Sequence, residues 1–257
     1  MQKTLNILFF ISILAFSACN KDIKLPEDED SQDLTFELSL IGTTLLDIAE
    51  PSGLSWDFQH NNFIVVDDNT NKAYIIDKSG HTISSLIYSG DDTEGITVDI
   101  KNHNIWLAEE SLSKLILMDS MGNKINTYDI DIDRNSTKKG LEGLSYNSYN
   151  NTFYILNEAE PGLLITWKPL SGILSKTELQ FAQDYSGIYA DNADQSLWIV
   201  SDKSEMLYYC DKDGKVIQSF DLSIDKAEGV VADIENNRVY IVSDSQQKLY
   251  TYKINKI

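Results

Sequence analysis

Cysteine is scarce in this chain: Cys19 and Cys210 are the two in 257 residues. Cys19 reads as a lipidation site (below), which leaves Cys210 without a partner and excludes a disulfide framework, so packing must supply the stability. Cys210 follows Leu207, Tyr208 and Tyr209 in an apolar strand and reads as a buried structural thiol rather than a nucleophile. Basic residues are also few, 21 against 40 acidic ones, for a formal charge of -19. That balance argues against nucleic acid and against docking on anionic lipid, and it suits cations. Of the three histidines, His60, His81 and His103, none is placed to serve as a base with the acidic groups described below. No EF-hand loop, P-loop or Gly-x-Gly-x-x-Gly motif is present. The one long apolar run, Ile7 to Phe16, is too short to span a bilayer as a stable helix.

That run follows Lys3 and precedes Phe16-Ser17-Ala18-Cys19, so residues 1–18 read as an export signal of the lipoprotein kind. Cleavage would leave Cys19 at the N-terminus, with lipid on its sulfur and amino group. The alternative is an ordinary secretory signal with an incidental cysteine. Residues 19–33 carry Glu27, Asp28, Glu29, Asp30 and Asp33, cannot bury a core, and read as a flexible acidic tether. The expected location is the cell envelope, lipid-anchored, periplasmic or surface-facing, with the membrane met through that lipid alone. Residues 34–257 suffice for one sizeable core, expected as a monomer.

What is plentiful is repetition. A Gly followed by an apolar residue recurs at Gly53, Gly95, Gly143, Gly187 and Gly229, at spacings of 42, 48, 44 and 42 residues. That is the period of a four-stranded propeller blade. Each glycine opens a short strand, then a turn rich in Asp and Asn, then a second strand such as Phe63 to Val66 or Leu197 to Val200. The near-continuous apolarity of the second strand predicts burial on both faces. Its second residue is Ile64, Trp106, Tyr154, Trp198 or Tyr240, a stripe read as inter-blade packing. A third strand ends in hairpin turns such as Asp77-Lys78-Ser79-Gly80, and a fourth runs on the edge. The fifth unit stops after its third strand, so Leu34 to Ile41 is expected to supply the missing one and close the ring. The prediction is an all-β, five-bladed propeller of four-stranded antiparallel blades; six blades is the alternative if Leu34 to Ile48 holds a degenerate unit.

In such a blade the start of the first strand and the end of the second share a face. The residues before the glycines, Ser52, Glu94, Glu142, Ser186 and Glu228, thereby join the pairs Asp67-Asp68, Glu109-Glu110, Asn157-Glu158, Ser201-Asp202 and Ser243-Asp244. The histidines fall in turns on the opposite face. The second member of each pair is acidic throughout, and Lys72, Lys114 and Lys248 stand four residues after three of them. Asp68, Glu110, Asp202 and Asp244 are therefore expected chiefly to brace turns. Glu94, Glu142 and Glu228 differ from the serines at the other two positions, and three carboxylates near a narrow axis repel unless neutralised. The candidate metal ligands are Glu94, Glu142, Glu228, Glu109 and Glu158, with Ser52, Asp67, Asn157 and Ser186 as candidate ligand-binding residues. Oxygen donors without His or Cys suit Ca²⁺ better than Zn²⁺. The alternative is that these glutamates cap loops and face channel water.

Glu94-Gly95-Ile96, Leu141-Glu142-Gly143-Leu144 and Ala227-Glu228-Gly229-Val230, alternating with Ser52-Gly53 and Ser186-Gly187, resemble the units of the SdiA-regulated propeller family. The resemblance covers residues 36 to 255. It implies a five-bladed propeller distantly related to NHL repeats, periplasmic or membrane-anchored, with a calcium site carried onto Glu94, Glu142 and Glu228. It supplies no substrate.

Three functions compete. The first is a lipid-anchored propeller that binds calcium at its acidic face and presents that face to a small-molecule or protein ligand. The second is a calcium-dependent hydrolase of the lactonase or phosphoesterase kind, with a carboxylate as base; fold analogy is its main warrant. The third is a structural envelope component without metal. Arg134, Lys138 and Lys139 form a basic insertion that accounts for the longest spacing and reads as a solvated loop or a rim contact.

Overall fold

A computed structural model describes residues 36–132 and 139–257. The signal and tether expected over residues 1–33, Cys19 included, lie outside the described residues, as do Arg134 and Lys138. An outer strand β1 (Phe36–Leu45) comes first. Blade one is β2 (Pro51–Trp56), β3 (Phe63–Asp67), β4 (Lys72–Ile76) and β5 (Thr82–Ser89). Blade two is β6 (Thr93–Asp99), β7 (Asn104–Glu109), β8 (Lys114–Asp119) and β9 (Lys124–Asp129). Blade three is β10 (Leu141–Asn147), β11 (Thr152–Asn157), β12 (Leu163–Lys168) and β13 (Gly172–Glu178). Blade four is β14 (Gly187–Ala190), β15 (Leu197–Ser201), β16 (Met206–Cys210) and β17 (Val216–Asp221). Blade five is β18 (Ala227–Asp233), β19 (Arg238–Ser243) and β20 (Lys248–Lys256), with β1 as its fourth strand.

Every neighbouring pair is antiparallel, and β1 runs from Phe36 opposite Lys256 to Leu45 opposite Lys248. The ring therefore closes with the start of the described chain against its end, which removes two free sheet edges. Among the described residues a sixth blade does not form. Residues 36–45 make a single strand, and Leu46 and Ile48 that follow are buried against blade one. Of the alternating apolar residues in β1, Phe36 is buried beside Trp198 and Tyr209, whereas Leu40 is 52% exposed. An outermost strand has a neighbouring blade over only part of its length.

The marker glycines are where blades meet. A Cβ on Gly187 would stand 2.0 Å from the carbonyl oxygen of Glu228 in blade five, and one on Gly53 would stand 2.1 Å from that of Glu94 in blade two. Each innermost strand thus leans on the next blade's backbone, a closeness that glycine alone permits. Around this ring the aromatic stripe packs between blades, as expected. Trp106 meets Phe153 at 4.6 Å and Trp167 at 5.6 Å, and Tyr240 meets Trp56 at 5.5 Å. Cys210 is fully buried in the core of blade four, and burial pushes its thiol up to about 12, which suits an inert thiol.

The turns between first and second strands carry a recurring staple. Asp57, Asp99, Asn147, Asp191 and Asp233 each accept from backbone N–H groups two to four residues on, for instance Asp99 Oδ1 from Lys101 N at 3.0 Å. These are Asx turns, and they explain why Asp and Asn crowd that face.

Candidate cation site on the acidic face

The residue before each glycine is aimed by a bulge. Pairing between first and second strands skips from Pro51 to Leu54, Thr93 to Ile96, Leu141 to Leu144 and Ala227 to Val230. Ser52, Glu94, Glu142 and Glu228 sit inside these irregularities, where an extra residue bends the strand and re-aims its side chain. In blade four the paired register begins with Gly187 opposite Val200, and Ser186 N also bonds Val200 O at 3.0 Å.

Register then sorts the terminal pairs, and it inverts the expected roles. Asp67 lies opposite Pro51, Glu109 opposite Thr93, Asn157 opposite Leu141 and Ser243 opposite Ala227. Directly opposed residues share a sheet face, and Thr93, Leu141 and Ala227 are wholly buried within the blades. The first member of each pair is therefore turned inward and serves the loop. Asp67 accepts from Thr70 Oγ1 at 2.9 Å, and Glu109 Oε1 accepts from the Tyr88 hydroxyl at 2.9 Å and Asp91 N at 3.1 Å. Asn157 donates to Pro161 O at 2.6 Å, and its buried Oδ1 finds no hydrogen-bond partner among the described residues. Glu109, Asp67 and Asn157 thus do not gather with the glutamates before the glycines.

The second members do. Asp68 N, Glu110 N, Glu158 N and Asp244 N bond the carbonyls of Glu50, Asp92, Gly140 and Lys226, each two residues before the bulged position. This pins the second acid beside the glutamate or serine on the axis. Two triads of carboxylates result, Asp68 with Asp92 and Glu94, and Glu110 with Glu142 and Glu158, the oxygens of each within 4.8 Å of one another. Glu228 faces Asp202 and Asp244. The Ser52 hydroxyl lies 3.5 Å from the Thr93 and Glu94 carbonyls, and Ser186 Oγ accepts from Asp202 N at 3.3 Å.

The lysines fall elsewhere than expected. Asp244 pairs with Lys226 at 2.6 Å, while Lys248 reaches Gln246 at 3.5 Å, and among the described residues no ion pair joins Asp68 to Lys72. Glu158, with no lysine four residues on, is met from blade four by Lys203 at 2.8 Å, which also reaches buried Asp184 at 3.4 Å. Lys139 of the basic insertion pairs with exposed Glu160 at 2.8 Å.

Burial and mutual repulsion show in the acidities. Desolvation first, then Asp68, Glu228 and Glu110, hold Glu94 well above the usual carboxylate range. Desolvation and then Glu94 do the same for Glu142. Glu228 is pushed up to about 8, Glu110 to about 7 and Asp68 to about 6, with desolvation the largest cause in each. The donors are all oxygen, and neither triad contains a His or Cys. That set fits a hard divalent cation, which would neutralise the charge and supply electrostatic stabilisation to any anionic group brought to it.

Sequence reasoning missed Asp92 and ranked Asp68 and Glu110 as turn braces. Asp92 lies in the loop before β6 with a left-handed backbone, φ 57°, three residues before its marker glycine, where the other units carry Glu50, Gly140, Asp184 and Lys226. For the other two the signal was present in the alternation of side chains, since the residue after an inward-facing strand end points the other way.

The sequence profile of the SdiA-regulated family matches residues 31–253. Among solved structures, glutaminyl cyclase of Myxococcus xanthus is similar with 12% identity and a TM-score of 0.69, over 87% of this chain and 99% of that one. A gluconolactonase of Xanthomonas campestris is similar with 12% identity and a TM-score of 0.54, over 84% of this chain and 99% of that one. At such identity the likeness is one of fold. No curated protein matches the chain.

Proposed function

The chain belongs to the SdiA-regulated family, and on that footing we propose that it is a lipid-anchored envelope propeller that binds calcium at its acidic face and presents that face to a ligand or protein partner. The observation that carries the calcium reading is the pair of all-oxygen triads around Glu94 and Glu142. The lipid rests on Phe16-Ser17-Ala18-Cys19, and the distance from the membrane on the acidic tether.

A cation that binds only the folded state stabilises it by about 2.7 kcal/mol at a hundredfold excess over Kd. For a domain of this size that is a rise in Tm of roughly 5 to 10 °C. Melting with calcium and with chelator measures it. An identical Tm in both, in wild type and in Glu142→Gln, would sink the reading. The hydrolase reading is separated by assaying lactones and phosphoesters, where turnover that appears with calcium would favour it.

A further inference from the structure

Two blades share one backbone frame at the acidic face and put opposite charges on it. Of the five residues that stand three before a marker glycine, Asp92 and Lys226 are the two with a left-handed backbone, at φ 57° and 49°. The carbonyl of Asp92 accepts from Glu110 N at 2.8 Å, and that of Lys226 from Asp244 N at 3.1 Å. Both are followed by the same irregularity, Thr93 to Ile96 and Ala227 to Val230. The frame thus carries a carboxylate in blade two and an ammonium in blade five.

The surroundings match position for position. Asp92 meets Asp68 from the blade before it and Glu94 two residues on, with oxygens of all three within 4.8 Å of one another. At the corresponding places around Lys226 stand Asp202 and Glu228, and both act on the ammonium. Lys226 Nζ bonds Asp244 at 2.6 Å, and Asp244 holds in blade five the place that Glu110 holds in blade two. Among the described residues, neither close triad of carboxylates includes Glu228.

This contrast decides where an outside cation can sit. Three crowded carboxylates relieve their repulsion by taking one up. At the Glu228 corner the chain supplies the positive charge itself, and that ammonium repels a divalent ion brought beside it. The corner also lacks an oxygen ligand, because Lys226 offers none where Asp92 offers a carboxylate.

We propose that Lys226 is a specificity-determining residue, a tethered cation that fills the Glu228 corner and leaves calcium to the two carboxylate triads. For the triads this rests on the calcium reading above. Glu228, which the family resemblance places among the calcium ligands, is not one of them. Since one exchange in one frame separates the two corners, reversing it should reverse the outcome.

The test is equilibrium dialysis of calcium against the full chain, paired with thermal melts in chelator, on wild type, Lys226→Asp, Lys226→Arg and Glu228→Gln. Lys226→Asp should take up one more calcium per chain than wild type, because it rebuilds in blade five the acids of the Asp92 corner. Lys226→Arg and Glu228→Gln should keep the wild-type count. In chelator, Lys226→Asp should lower Tm by about 5 °C, since Asp244, Asp202 and Glu228 lose their counter-ion, and Lys226→Arg should hold it. A wild-type count in Lys226→Asp, a calcium lost in Glu228→Gln, or a Tm in chelator that Lys226→Asp leaves unchanged would overturn the proposal. Circular dichroism checks the folds; if Lys226→Asp misfolds, Glu228→Gln decides. If wild type binds no calcium, the calcium reading fails, and the melts of Lys226→Asp and Lys226→Arg still decide whether Lys226 is the counter-ion.

Discussion

Acidic side chains stand at both ends of the channel, and their surroundings differ. In the turns of one end Asp57 accepts from Gln59 N, Asn61 N and Asn62 Nδ2, and Asp99 from Lys101 N, Asn102 N and Asn102 Nδ2. At the other end Glu94, Glu142 and Glu228 are crowded by carboxylates, and burial raises all three. A count of acids along the chain treats the two alike. What separates Asp57 and Asp99 from Glu94, Glu142 and Glu228 is whether local backbone donors already satisfy the charge, and the crowded three are where the proposed cation would neutralise it.

The largest expected effect breaks the frame that both ends share. Gly187→Val places side-chain atoms against the Glu228 carbonyl and should cost about 3 kcal/mol or more, which thermal melting reads as a drop of roughly 10 °C. Next, the stapled end should lose stability when an acid is removed, whatever the calcium level. Asp99→Ala frees two backbone N–H groups and is expected to cost about 1 to 2 kcal/mol, by analogy with lost caps; its drop in Tm relative to wild type should be the same in chelator and in calcium, and no drop, or one seen in only one condition, would contradict this.

The crowded end should behave in the opposite sense. In chelator, Glu142→Gln removes a repelled charge and should raise stability by up to about 1 kcal/mol, read from denaturant midpoints. The pH dependence follows the same sign. The folded pKa values exceed the unfolded ones, about 8 for Glu228 against 4.5 and about 6 for Asp68 against 3.8. The native state then holds more protons across that window, so metal-free stability is highest near pH 5 and falls as pH rises toward 8. The calcium-induced rise in Tm should grow over the same interval, because the cation needs the ionised carboxylates. A metal-free Tm that climbs from pH 5 to 8 would show that these carboxylates do not dominate.

Much of the frame was legible in the chain itself. Five Gly-apolar markers, five apolar second strands and an unfinished last unit lead to five blades closed by an N-terminal strand, because blade period and edge pairing are local and repetitive. Glu94, Glu142 and Glu228 stood out because they depart from Ser52 and Ser186 at one scaffold position. The partners around them did not stand out. Asp92 stands at a loop position where the residue type varies from unit to unit, Lys203 reaches Glu158 from another blade, and the exchange of Glu109 for Glu110 depends on strand register rather than on residue type. Such facts are set by pairing across the ring, which spacing along one chain does not encode.

The sharpest test of that exchange is calcium titration by calorimetry on wild type, Glu142→Gln and Glu109→Gln. Both substitutions remove one carboxylate near the end of the same channel, one from the Glu110-Glu142-Glu158 triad and one bonded to Tyr88. The account predicts that Glu142→Gln weakens calcium binding at least about tenfold, a loss of about 1.4 kcal/mol, while Glu109→Gln binds as wild type does. Equal weakening by both, or weakening by Glu109→Gln alone, would contradict it.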